Sequence, residues 1–440
     1  MTEHVVPNPQ PRSGQWPANG PAGVDRRWRT GLLLQAPHRL AFFLAMVILV
    51  TAGAWWALVQ LDRVSTALNL SYALSPSLMH SAVMTFGFLP LFFSGFLFTA
   101  GPKWLGVQAP APRQLLIPLL LQATGWLVCL AGAHLYRPIA LAGMLISAAG
   151  LTWITSIFWG LLLRSPAPDK VHARAIGVAC IVGCLALTAL PLSLLLGSPA
   201  VARACVLSGL WGFVVVVYVS VAHRMIPFFT SSALPFINAW RPFWVLWLML
   251  SVAAFEVAAV WIELEGRPQG TVGVAWVALH GVLELAAGGV FLWLAVVWGL
   301  MQSLKNRLLA MLHIGFLWFG LTLVLGGMAQ LLGLVQDSPV LALGALHALT
   351  MGCLASLMLA MVTRVSCGHS GRALVADRLA WTLFLLLQAA TLLRIGAAAQ
   401  TAFAAWLLLA AVLLWAGVMG VWGVRLGNWY GRLRADGRPG

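Results

Sequence analysis

Twelve stretches of about twenty mostly apolar residues, separated by short polar loops, leave this chain one class of fold. They run at roughly 40–60, 78–99, 115–134, 139–161, 174–195, 201–220, 241–262, 272–298, 309–334, 341–362, 379–395 and 401–423. Each is long enough to cross the hydrocarbon core of a bilayer. Lipid offers no partner for a bare peptide group, so a spanning segment must satisfy its backbone internally, and continuous apolar runs of this length select helices over alternating barrel strands. The composition agrees: 61% of the residues are hydrophobic and 8% charged, too few charges to cover a water-soluble domain. The expected fold is all-α, a polytopic membrane helical bundle of about twelve transmembrane helices.

The charges give that bundle an orientation. The formal charge is +15, but the basic residues stand singly between apolar stretches and form no stripe, which argues against a nucleic-acid partner. With the N-terminus inside, all but five of the 26 Lys and Arg (Arg63, Arg137, Arg203, Arg267 and Arg394) fall on the cytoplasmic side. That asymmetry supports an even number of spans and two cytoplasmic termini, as in a multi-pass protein of a bacterial inner membrane. Residues 1–35 and 426–440 read as cytoplasmic tails, the first disordered, on either side of a transmembrane domain at 36–425. No cleavable signal precedes the first span. The six cysteines follow neither a zinc spacing nor a disulfide framework.

Two parts of the chain resemble each other. His80 stands four residues before Met84 and His347 four before Met351, and a Gln-containing string follows each, with Gln122 after the first and Gln388 after the second. Upstream of each lies a histidine at a span start, His38 and His313. The pattern reads as an internal repeat covering 38–160 and 313–425.

Given the topology, the histidines fall into two layers. His80, His280 and His347 lie in the outer half of the membrane, while His38, His172, His223, His313 and His369 gather toward the cytoplasmic side. A histidine inside a span is costly without a partner, and imidazole is a common ligand of haem iron and copper. One reading pairs His80 with His347 across one haem, with Gly87 and Gly352 admitting the flat ring. The other makes both of them helix-packing residues. His280 and Glu284 share a helical face at i,i+4, as a metal ligand with an acidic neighbour, a proton-handling pair, or a neutral Glu bonded to His. Glu256 is a second intramembrane carboxyl and a candidate proton relay. The inner layer adds Arg224, Arg364 and Arg372, suited to an anion such as a haem propionate, or simply positive-inside anchors. Pro227 and Pro235 bracket an expected irregular segment.

The strings PHRLAFF at 37–43, MHSAVMTFGFL at 79–89, HRMIPFFT at 223–230, MLHIGFLWFG at 311–320 and HALTMGCLASLMLAMVTRVSCGHSGR at 347–372 resemble the NnrS family of bacterial membrane proteins. The resemblance implies about twelve spans, haem (of b type) and copper as cofactors, and a place in denitrification or in protection from nitric oxide. Within its motifs fall His38, Arg39, His80, His223, Arg224, His313, His347, Arg364, His369, Gly371 and Arg372. The family often reads His-Ala-His near the second span, Arg where this chain has His223, and Thr where it has Ser370. A looser likeness is to haem-copper oxidase subunit I, in which histidines of spans 2 and 10 hold the low-spin haem. The copper-site motifs of that enzyme are absent here.

The leading expectation is a haem protein that engages nitric oxide in the membrane by reduction, oxidation or scavenging, an oxidoreductase if it turns the gas over. Its electrons would come from an unidentified donor. The alternatives are a transporter of copper or of a metal-nitrosyl complex, and an accessory factor for denitrification enzymes.

Overall fold

A computed structural model describes residues 27–65, 68–266, 269–336, 341–399 and 402–436. Twelve helices in it are long and apolar enough to cross a membrane. They are α1 (Pro37–Ser65), α2 (Pro76–Leu105), α3 (Pro112–Leu135), α4 (Arg137–Arg164), α5 (Val171–Leu195), α6 (Pro199–Ala233), α7 (Phe243–Ile262), α8 (Gly270–Val297), α9 (Arg307–Val335), α10 (Ala342–His369), α11 (Arg378–Ala397) and α12 (Ala404–Tyr430). The number of spans is the one read from the sequence, and the protein is an all-α multi-pass bundle.

Three of the twelve are interior. The most apolar windows of α2, α10 and α6 are 83%, 78% and 72% buried, against 67% for α9 and 33–56% for the rest. The same three are irregular near their middles. In α2 the helix breaks between Phe86 and Leu89, ahead of Pro90. In α6 a π turn covers Leu210–Val215, and in α10 a longer one covers Ala348–Ala355. Irregular backbone is tolerated at membrane depth only where protein surrounds it, which is where these turns lie.

Two glutamines brace the turns. The Gln122 side-chain amide of α3 donates to the Phe86 carbonyl at the break in α2, at 2.7 Å. Gln388 of α11 donates to Ser356 Oγ at the end of the α10 π turn, at 2.9 Å, and accepts from Trp318 Nε1 at 2.8 Å. Elsewhere small residues bring helices together. A Cβ on Gly327 of α9 would lie 2.5 Å from the Gly281 carbonyl oxygen of α8, so only glycine permits this approach.

Both ends of the chain meet on one face, here the terminal face. Arg29 N donates to the Gly431 carbonyl at 2.8 Å, and the Arg39 guanidinium donates to the Arg432 carbonyl at 3.0 Å. Residues 30–35, read from the sequence as the end of a disordered tail, form a 3-10 helix with Leu33 buried. Residues 1–26 lie outside the described residues. At the other end α12 continues to Tyr430, and Ala435 N bonds the Ser370 carbonyl, so the expected tail from 426 is partly built into the bundle. The segment around Pro227 also differs from expectation: α6 runs through it as helix to Ala233. Proline forfeits one backbone bond, which a packed helix in lipid survives.

Candidate functional site

The three irregular turns converge on one cavity. Phe88 and Leu89 at the break in α2, Leu210 of the α6 π turn, and Met351, Leu354 and Ala355 of the α10 π turn all line it. So do His80 and His347, together with Met84, Met358, Arg394 and Trp415. His80 lies four residues into α2 and His347 five into α10, about 6 and 8 Å along their helices. The cavity therefore opens near the face opposite the termini.

The two imidazoles are held differently. His347 Nδ1 is 2.7 Å from the Leu343 carbonyl one turn back, so this nitrogen carries the proton and Nε2 keeps its lone pair. The His80 ring stacks on Trp56 with centroids 4.0 Å apart and an interplanar angle of 11°. His80 Nδ1 is buried without a hydrogen-bond partner, and so is Trp415 Nε1 on the same cavity wall. Arg63 also lies over the Trp56 ring, at 5.3 Å. Two histidines, one with a partnerless Nδ1, an arginine and the bare Trp415 Nε1 in a mostly apolar chamber fit a large flat ligand with a metal centre and acidic substituents.

Sequence reasoning reached the histidines and missed Arg394, Trp56 and Trp415. A signal for the arginine was present: Arg394 and Arg63 are two of the five basic residues that break the charge asymmetry. The roles expected of Gly87 and Gly352 are corrected. A side chain at Gly87 would strike the Val83 carbonyl of its own helix, and one at Gly352 would lie 2.5 Å from the Trp318 ring. These glycines make room for neighbouring protein, and neither lines the cavity.

The inner-layer histidines are distributed over three places. His38 and His369 meet at the terminal face with ring centroids 4.4 Å apart and planes tilted by 45°. His223 pairs with His172, Nδ1 to Nε2 at 3.0 Å, while its own Nε2 is 3.1 Å from the Pro242 carbonyl. His313 Nε2 is 2.9 Å from Thr230 Oγ1. The arginines expected beside them each cover an aromatic ring: Arg224 over Trp104 at 4.9 Å, Arg364 over Phe229 at 4.0 Å, and Arg372 over Trp429 at 4.2 Å. None of the three lines the outer cavity.

The intramembrane carboxyls come together. Glu256 of α7 and His280 and Glu284 of α8 present donor atoms within 4.8 Å of one another. Spacing alone joined His280 to Glu284. Glu256 is on another helix, and nothing in its own segment signalled the meeting.

A family model described as NnrS protein matches residues 32–434 of the chain. No curated protein matches it.

Proposed function

The chain belongs to the NnrS family, and from that premise we propose that it binds a b-type haem in the outer cavity, with His80 and His347 as the protein ligands, and serves nitric oxide metabolism in a bacterial inner membrane with both termini in the cytoplasm. The observation that carries this reading is that two histidines from different helices line one largely apolar cavity into which the breaks of all three interior helices open. It also supports the looser likeness to subunit I of the haem-copper oxidases.

Haem held by His80 and His347 would supply one-electron chemistry. The chain's own contribution is placement. The Leu343 carbonyl fixes the His347 tautomer with Nε2 free to ligate, and second contacts of this kind orient a metal-bound histidine. Arg394 and Trp415 Nε1 supply donors for carboxylate substituents. Met84, Met351 and Met358 give the chamber soft, adaptable walls. A second cavity, walled by Phe42, Phe92, Phe93, Phe96 and Tyr218, shares Met358 with the first. Among the described residues no group of three His or Cys gathers to hold copper, and no step is assigned to copper here.

The test is the absorption and electron paramagnetic resonance spectra of purified protein expressed with ample haem. A low-spin haem signal that both His80→Ala and His347→Ala remove is the expected result. Absence of a Soret band from the wild type, or survival of the low-spin signal in both variants, would refute the assignment.

A further inference from the structure

We propose that Glu256, His280 and Glu284 form a binding site for one divalent first-row cation of the iron(II), manganese or zinc class, separate from the outer cavity. None of the three residues lines that cavity.

The first ground is geometry without partners. His280 Nε2 is 3.6 Å from Glu256 Oε1 and 3.8 Å from Glu284 Oε2. All three residues are more than nine-tenths buried, at 7%, 4% and 8% exposure for Glu256, His280 and Glu284. These same three facing atoms have no hydrogen-bond partner. Two carboxylates and an imidazole aimed at one another in a membrane helix bundle are a costly arrangement when nothing joins them. Donors bound to one ion at about 2.0–2.2 Å stand roughly 3–3.5 Å apart, so small side-chain rotations close the site. Two carboxylates and a neutral imidazole also balance the charge of a dication.

The second ground is the support around the histidine. His280 Nδ1 lies 3.4 Å from Glu263 Oε1, and Glu263 in turn accepts from Trp276 Nε1 at 2.8 Å. Carboxylate, histidine and metal in that order is how ligating imidazoles are usually fixed, with Nε2 left to the ion. The Gln330 side-chain amide of α9 also reaches Nδ1, at 3.3 Å, and suits a protonated Nδ1 when it turns its oxygen to that side. Phe255 and Trp276 stand against the ring at centroid distances of 5.2 and 5.7 Å and exclude water.

The third ground is space. A side chain at Gly326 of α9 would collide with the Glu284 carboxylate, so the backbone has been kept bare where that carboxylate sits. Three of the chain's eleven acidic residues converge on this one histidine. The donor set is oxygen-rich with one imidazole, which favours iron(II), manganese or zinc over the soft ligation preferred by copper(I).

The experiment uses full-length protein in detergent, stripped with a chelator and dialysed against Mn²⁺, with free Mn²⁺ read by electron paramagnetic resonance and Zn²⁺ as competitor. We expect about one equivalent of Mn²⁺ bound and displaced by Zn²⁺. Glu256→Gln and Glu284→Gln should each weaken binding at least tenfold, and Glu263→Gln by about 10–100-fold. Haem content, measured on the same samples, reports folding and the outer cavity independently, so failure of the haem reading leaves the cation result intact. Wild-type protein that binds neither Mn²⁺ nor Zn²⁺ would overturn the proposal and leave the cluster as a proton-sharing network. Isosteric variants that bind like wild type would overturn it as well.

Discussion

Gln388→Leu and Gln122→Leu remove the same group from comparable positions, and the structure says they differ in cost. Gln388 serves two neighbours: its amide donates to Ser356 Oγ and its carbonyl accepts from Trp318 Nε1. Both lose their partner when leucine replaces it, and Ser356 is fully buried. A buried polar group left unpaired costs about 1–3 kcal/mol, so the two together cost about 2–6 kcal/mol, less about 1 kcal/mol for the added apolar contact. Gln122 makes one side-chain bond, to the Phe86 carbonyl, and its own Oε1 is already buried without a partner. Leucine there strands one carbonyl but removes one bare oxygen, for a net cost of about 0–1 kcal/mol. Equilibrium unfolding in mixed micelles, followed by tryptophan fluorescence, measures both. Gln388→Leu should be the more destabilising by at least about 1 kcal/mol. Equal costs, or a Gln388→Leu protein as stable as wild type, would refute the view that this side chain braces the α10 π turn.

Arg394→Ala should loosen haem retention on washing and lower the midpoint potential in a redox titration, because a cation beside the cavity favours the reduced state, and Arg394→Lys should recover part of both. Asp377 caps α11 through Ala380 N, and the Arg425 guanidinium holds its carboxyl below the usual range. A depressed folded value means that its stabilisation is complete above about pH 4 and is lost as the pH falls through the lower folded value. Asp377→Asn should therefore flatten the acid limb of the stability profile measured in the same micelles. Reporter fusions after residues 110, 168, 235, 306 and 370 should be cytoplasmic and those after 68, 136, 198, 266 and 397 on the opposite side, and reversal from any point onward would show a miscounted span.

What the sequence disclosed follows from what period and spacing can encode. Span number and helical class came through because apolar length is a local property. His80 and His347 came through because each stands in a span where a lone imidazole is conspicuous, and because the Met and Gln that follow recur at similar distances. The meeting of Glu256 with His280 was invisible because it depends on how α7 packs beside α8, which no single segment records. In the sequence, the five inner-layer histidines are grouped by depth alone. Depth fixes one coordinate of three, and the structure shows His38, His223 and His313 facing different partners.

The π turn in α10 explains why helical periodicity also failed to list the cavity wall. Two rows of that helix face the chamber, Leu346, Thr350, Leu354 and Met358 in one and His347, Met351 and Ala355 in the other, every step being four residues. In an unbroken α-helix each residue turns about 100°, so a row of period four drifts about 40° per step and Met358 would point about 120° away from Leu346. A π turn holds more residues per turn, about 4.4, and drifts the other way. The π stretch Ala348–Ala355 between α-helical ends brings the average close to four, which keeps both rows on the cavity along their whole length. Met358 thereby reaches the boundary with the second apolar cavity while His347 stays at the outer end. The hydrogen bond from Gln388 to Ser356, the first residue beyond the π segment, ties α11 to the point where normal winding resumes. The position of His347 relative to the chamber is thus set by the winding of the backbone that follows it, and that winding is held at its far end by a side chain from a neighbouring helix.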